Sequence, residues 1–171
     1  MTTTIEAPRR ARDTRHRRYG LLAASFGAVL VVSVAGILLT SLGLGPWYDA
    51  LPKPAWTPPE AAFGPVWTTL YVLQAIAAWL VARAGWRTPG VRAGLGLYGL
   101  QLALQVAWSG TFFALRAPGA AVAVILALLV TLGLTTAAFA RVRPLAAALL
   151  APAVAWVAFA AALNVAIALR A

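Results

Sequence analysis

Residues 20–42 read GLLAASFGAVLVVSVAGILLTSL. No charge interrupts them, and a helix needs about 20 apolar residues to cross the hydrocarbon core of a bilayer. Four further segments follow the same rule, at about 58–82, 91–115, 118–140 and 144–169. In lipid every backbone polar group must find its partner inside the protein, and no alternating barrel-strand pattern is present. The expected fold is therefore an all-α integral membrane bundle of five transmembrane helices over 20–171, preceded by a basic, disordered tail at 1–19.

The composition agrees. Of the 171 residues 62% are hydrophobic and only 11% charged, with a mean hydropathy of +0.83. A soluble domain is nearer half apolar and a quarter charged, so a water-soluble enzyme is excluded first. There is no cysteine and His16 is the sole histidine, which excludes disulfides, thiolate or multi-His metal sites and bis-His haem. No metal site is expected. The net charge of +10 does not read as nucleic-acid binding. The cations cluster in the tail and at the ends of apolar runs, where they build no groove with base-stacking aromatics.

Their distribution sets the expected topology. Arg9, Arg10, Arg12, Arg15, Arg17, Arg18, Arg83, Arg87, Arg92, Arg141 and Arg143 fall on one side of a five-span bundle, against Lys53, Arg116 and Arg170 on the other. The positive-inside rule places the N-terminus in the cytoplasm and the C-terminus on the opposite side. Arg17-Arg18 ahead of an apolar run also fits a twin-arginine signal. That run is longer than a cleaved apolar region and no A-x-A site follows, so a retained tail is expected.

Most connections are short, and Pro89, Pro118 and Pro144 mark helix entries, where a missing N–H costs nothing. The exception is 43–57, GLGPWYDALPKPAWT, a long Trp- and Pro-rich loop of the kind that is usually functional. It lies opposite the basic side. It ends in Thr57-Pro58-Pro59-Glu60, which has the form of a capping box. Pro65 is expected to kink or loosen the helix that follows.

The third span carries the most information. Tyr98, Gln101, Gln105, Trp108 and Phe112 recur at helical spacing and share a face. Gly96, Gly99, Ala103, Ala107 and Gly110 form a small-residue stripe nearly opposite, suited to close helix contact and to a homodimer. Buried amides in lipid need partners, which leaves two readings of Gln101 and Gln105: hydrogen bonds to neighbouring helices, or the lining of a cavity. Phe63, Trp67, Tyr71, Gln74 and Ala78 share a face of the second span, and Trp156, Ala160, Leu163 and Asn164 one of the fifth. Together they suggest an apolar chamber walled by Trp67, Trp108 and Trp156 with a few polar hooks. Trp79 and Trp86 read instead as an interfacial belt. Flat Trp walls favour a flat, apolar guest, and Lys53 or Arg116 is placed to meet a carboxylate on it. A tetrapyrrole, a sterol and a planar drug all fit. No ionisable group lies deep in a span, which weighs against ion-coupled transport. Glu6, Asp13, Asp49 and Glu60 have no neighbouring His or nucleophile, so no hydrolytic site is expected.

The spaced run Trp47-Tyr48, Leu51, Lys53-Pro54, Trp56, Pro58-Pro59, Phe63-Gly64-Pro65-Val66-Trp67-Thr68 and Leu70-Tyr71 strongly resembles the TspO/MBR family, the tryptophan-rich sensory proteins related to the mitochondrial translocator protein. Gly96-Leu97-Tyr98, Gln101-Leu102-Ala103-Leu104, Trp108 and Phe112-Phe113 are similar to its third helix. Pro152, Ala155-Trp156, Phe159-Ala160 and Leu163-Asn164 are similar to its fifth. The resemblance covers 45–167. It implies a five-helix, commonly dimeric membrane bundle that binds porphyrins, with Tyr48, Pro58, Phe63, Trp67, Tyr71, Gln101, Gln105, Trp108, Trp156, Ala160 and Leu163 in the pocket. It further implies light- and oxygen-dependent porphyrin degradation through Trp67 and Trp156, with porphyrin as ligand and no cofactor required. Three departures stand out. Gln105 replaces the usual Asn, Ala153 replaces a Tyr, and no Tyr follows Tyr98, so the C-terminal sterol-recognition pattern is missing. The expected function is a tetrapyrrole-binding sensor or scavenger. The alternatives are a transporter of such ligands and a structural or partner-regulating membrane protein.

Overall fold

Long apolar runs without a break fold into long helices, and the computed structural model describes residues 6–170 accordingly. Its elements are α1 (Glu6–Ser41), the short α2 (Pro46–Asp49), α3 (Glu60–Ala82), α4 (Val91–Ser109), α5 (Pro118–Val142) and α6 (Pro144–Ala168). A π-helical turn, Gly110–Ala114, continues α4. No strand occurs among the described residues. Pro118 and Pro144 open α5 and α6. Pro89 stands two residues ahead of α4, whose N-cap is the left-handed Gly90.

Two local expectations give way to other structure. First, α1 begins at Glu6, so the segment read as a disordered tail is helical from that residue on; 1–5 lie outside the described residues. Its arginines are good helix formers, and Pro8 falls in the first turn, where a proline is tolerated. Second, Thr57 does not cap α3. Helix α3 starts at Glu60 with Pro59 as its N-cap and no side-chain cap bond, while the Thr57 hydroxyl donates to the Pro54 carbonyl at 2.7 Å. With the helix starting at Glu60, Thr57 stands two residues ahead of the N-cap position and its hydroxyl turns back into the loop. Helix α3 continues through Pro65. The Thr69 hydroxyl donates to the Pro65 carbonyl at 2.9 Å.

Among the described residues four helices are long and apolar enough to cross a membrane: Arg18–Ser41, Glu60–Ala82, Pro118–Val142 and Pro144–Ala168. The stretch expected as the third span folds as α4 with its π turn, and Arg92, Gln101 and Gln105 keep its hydropathy below that of those four. The two amides are buried inside the bundle. Around the bundle the contacts run α1–α3–α6–α5–α4 and back to α1, with α5 packed most extensively, on α4 and α6. Only 6% of the apolar stretch of α1 is buried within the bundle, against 39% for α3 and α6. Leu30, Val31, Ile37 and Leu38 are exposed on it, an apolar surface that belongs in lipid.

The core has two kinds of packing. Toward the basic end it is built from small residues: Ala75, Ala77, Val81, Val91 and Ala146 are completely buried beside Phe139 and Leu150. A Cβ added at Gly94 would lie 3.2 Å from the Phe139 ring. Toward the loop end the core contains rings, among them Tyr48 and Phe112 with Leu163 and Ile167. There α1 closes on the π turn, and a Cβ at Gly43 would lie 2.5 Å from the Phe113 carbonyl oxygen. Only glycine permits that approach.

Candidate functional site

The π turn places two consecutive rings at one site. The Leu115 N–H donates to the Gly110 carbonyl, five residues back, at 2.9 Å. The extra residue turns both Phe112 and Phe113 toward the bundle, with ring centroids 4.8 Å apart. Trp108 meets Phe112 at 5.9 Å and Phe113 edge-on at 6.2 Å. Across the helix gap Trp108 meets Trp67 at 6.4 Å, and Trp67 meets Tyr71 at 5.7 Å. Helix α2 fits the loop onto this group. Trp47 lies edge-on to Phe112 at 6.0 Å, and Tyr48 is tilted on Phe113 at 5.7 Å.

A second group of rings lies along α6. Trp156 touches Phe63 edge-on at 5.8 Å and Phe159 at 5.5 Å, and Phe159 meets Trp56 at 5.6 Å. Both groups rest on one floor. Trp67, Trp108 and Trp156 all pack against the cluster of Leu70, Ile125, Leu128, Leu132, Val157 and Ala160. All three indoles are half-buried. Leu163 joins the adjoining cluster with Tyr48 and Phe112, and Pro58 is half-buried at the loop's end. So indoles from three helices converge on one apolar floor, and within each group the rings are in contact.

The amides form a separate layer. The Gln74 carbonyl oxygen accepts from Gln101 Nε2 at 2.9 Å and from Gln105 Nε2 at 3.1 Å. Gln105 Nε2 also donates to Gln101 Oε1 at 2.8 Å. All three residues are buried. Helix-to-helix bonding is thus how Gln101 and Gln105 are held. The network is nevertheless incomplete, because Gln74 Nε2 and Gln105 Oε1 are buried without a partner, as are the Tyr98 hydroxyl and Trp156 Nε1. Each such group costs about 1–3 kcal/mol while it stays unpaired. Gln74 was legible as a face residue, but its role as the shared acceptor was not. Asn164 is a second addition to the site. It accepts from Trp108 Nε1 at 3.0 Å and donates to the Pro118 carbonyl at 2.8 Å. One amide thereby ties α4, α5 and α6 and fixes the indole.

Both loop-end cations lie on rings. The Lys53 ammonium sits 4.0 Å from the Tyr48 ring centroid and donates to the Tyr48 carbonyl. Arg116 holds a left-handed backbone, φ 52°, unusual for a side chain of its size, with its guanidinium 5.9 Å from the Trp47 ring. Burial raises the Tyr48 phenol above its ordinary value of 10.0, and Glu60 and Asp49 add to the effect. At the opposite end Trp79 donates to the Arg18 carbonyl at 3.1 Å under Arg83, and Trp86 is exposed, as a belt requires.

The small-residue stripe is not used within the chain. Gly96, Gly99, Ala103 and Ala107 are exposed, and nothing lies within 4 Å of a Cβ added at either glycine. Gly110 differs, since it turns toward Leu39 of α1.

The description TspO/MBR family matches residues 25–170, from the first apolar span through α6. The chain belongs to the TspO/MBR family. Its relatives include the tryptophan-rich protein TspO of Chlorobaculum tepidum, 39% identical over 84% of this chain and 90% of that one. The human translocator protein is 44% identical over 69% of this chain and 70% of its own length. The tryptophan-rich sensory protein of Cereibacter sphaeroides is 35% identical over 69% and 72%. With several helices apolar enough to span a bilayer, this TspO/MBR protein is an integral membrane protein. The matched region takes in every ring and amide described above and leaves out the basic N-terminal segment.

Proposed function

We propose that this TspO/MBR protein binds planar, apolar ligands of the tetrapyrrole class among Trp67, Trp108 and Trp156, and acts as a sensor or scavenger of them. The observation that carries the reading is the convergence of three half-buried indoles, from three different helices, on one apolar floor. Offset stacking on such faces is how a flat guest gains affinity beyond area burial. The rings now in contact with one another are the groups a guest would displace. The unpaired Gln74 Nε2, Gln105 Oε1 and Trp156 Nε1 are then available as polar hooks. Lys53, held only by a ring and a carbonyl, is the partner for a carboxylate at the loop end.

In this reading α4 is the third of five spans, with its amides turned inward and its Gly96, Gly99, Ala103 and Ala107 face turned to a second copy. The basic end faces the cytoplasm. Light absorbed by a bound porphyrin, with dioxygen as oxidant, would degrade the porphyrin, and Trp67 and Trp156 are the electron-rich side chains beside it. Ligand movement is the second reading, motivated by the name of the human relative.

Titrating protoporphyrin into detergent-purified protein is expected to quench Trp fluorescence saturably, and the W67F/W156F variant to bind at least about tenfold more weakly. Unchanged affinity and unchanged light-dependent bleaching in that variant would refute the Trp site. Flux in proteoliposomes separates transport from binding alone.

A further inference from the structure

At the basic end, between α3 and α6, a groove of about 340 Å³ is lined by Leu80, Arg83, Arg143, Pro144 and Leu145. We infer that this groove is a binding site for the headgroup of an anionic phospholipid, with the phosphodiester held between the Arg83 and Arg143 guanidiniums. The inference needs the membrane setting of the chain and not the tetrapyrrole reading, so neither fails with the other.

Charge comes first. Arg83 ends α3 and Arg143 precedes α6, and Arg87, Arg92 and Arg141 lie at the same end of the bundle. Among the described side chains the carboxylates are Asp49 and Glu60, both at the opposite end. Two arginines therefore line one groove with no described carboxylate to neutralise them. The Trp79 ring, 4.5 Å from the Arg83 guanidinium, restrains that side chain. A phosphodiester with two free oxygens suits two planar donors, each bond being charge-assisted.

The backbone adds to this. Helix α6 has no side-chain cap. Pro144 has no N–H, so the Leu145 N–H is the first one in the helix that lacks an intrahelical acceptor. Leu145 lines the groove.

Apolar surface identifies the source of the phosphate. Leu80 and Leu145 form part of the wall, and Leu145 is 63% exposed. A soluble phosphate has no use for exposed leucine beside its site, whereas acyl chains do. The volume is at the small end for a ligand pocket, about 300–1,000 Å³. It admits a headgroup and leaves the acyl chains outside, along α3 and α6. Basic pockets between helix ends are where anionic headgroups are bound.

The test uses the full chain, released from detergent into native mass spectrometry with phosphatidylglycerol or phosphatidylcholine of identical acyl chains. The wild-type protein is expected to retain phosphatidylglycerol at least about tenfold better. R83Q/R143Q should abolish the preference, R83K/R143K should keep part of it, and R87Q/R92Q, outside the groove, should leave it intact. Soluble glycerol phosphate should not displace the lipid. Should the double Gln variant fail to fold, R143Q alone, at an exposed position, must lower the preference. Equal retention of phosphatidylcholine, an undiminished preference in R83Q/R143Q and R143Q, or full displacement by glycerol phosphate would overturn the assignment.

Discussion

The two halves of this bundle solve the packing problem differently. At the basic end alanine and valine set the close contacts, Ala75, Ala77, Val81, Val91 and Ala146 being wholly buried, around one fully buried ring, Phe139, that meets Tyr98 at 6.0 Å. At the loop end they meet through rings that touch each other edge-on or tilted at 4.8–6.4 Å, with the three indoles only half-buried. Small residues allow close, rigid backbone contact. Rings in T-shaped and tilted pairs can exchange one another for a flat guest at modest cost. The Gln74–Gln101–Gln105 layer links α3 to α4 and is itself two bonds short. The difference teaches where the molecule is built to hold and where it is built to receive.

Overfilling the rigid half should have the largest effect on stability. Ala77→Leu is expected to cost about 1–3 kcal/mol or more, because no volume is free there, and to lower the thermal midpoint in detergent accordingly. A midpoint equal to wild type would show that the basic end is as adaptable as the loop end. Gly43→Ala at the α1–π-turn contact should act in the same range, through a Cβ only 2.5 Å from the Phe113 carbonyl oxygen.

Within the amide layer, Gln74→Leu removes the shared acceptor and strands two buried N–H groups, for about 1–3 kcal/mol. Replacing all three glutamines by leucine should cost less than that single change, since no polar group is left unpaired. If the triple variant is the less stable, the amides contribute more than mutual satisfaction. The smallest effect should come from Trp86→Ala at the exposed belt, within about 0.5 kcal/mol as measured by the same melt.

Much of this was legible. The apolar runs opened by Pro118 and Pro144 gave α5 and α6 nearly to the residue. The 3–4 spacing of Tyr98, Gln101, Gln105, Trp108 and Phe112 found the inward face of α4, and all but the half-buried Trp108 are buried. Periodicity gives a face but not what the face meets. It could not tell that Gln74 is the common acceptor, that Asn164 holds Trp108, or that a π turn brings in Phe113 beside Phe112. The Thr57 cap misled because the capping pattern counts residue types and does not fix where the helix starts: α3 begins only at Glu60, and the Thr57 hydroxyl bonds the Pro54 carbonyl. Helix α4 shows the converse. Its Gln101 and Gln105 lower the hydropathy of the segment although both are buried inside the bundle, and hydropathy along the chain does not know which way a side chain turns.

The central claim is that Trp67, Trp108 and Trp156 surround one place for a planar guest. Circular dichroism in the Soret region tests it most directly, because protoporphyrin is optically inactive until an asymmetric site holds it. The account predicts an induced Soret signal that saturates with protoporphyrin and collapses in W67F/W156F while the helical far-ultraviolet signal is unchanged. A signal that never appears, or that persists undiminished without those two indoles, would contradict it.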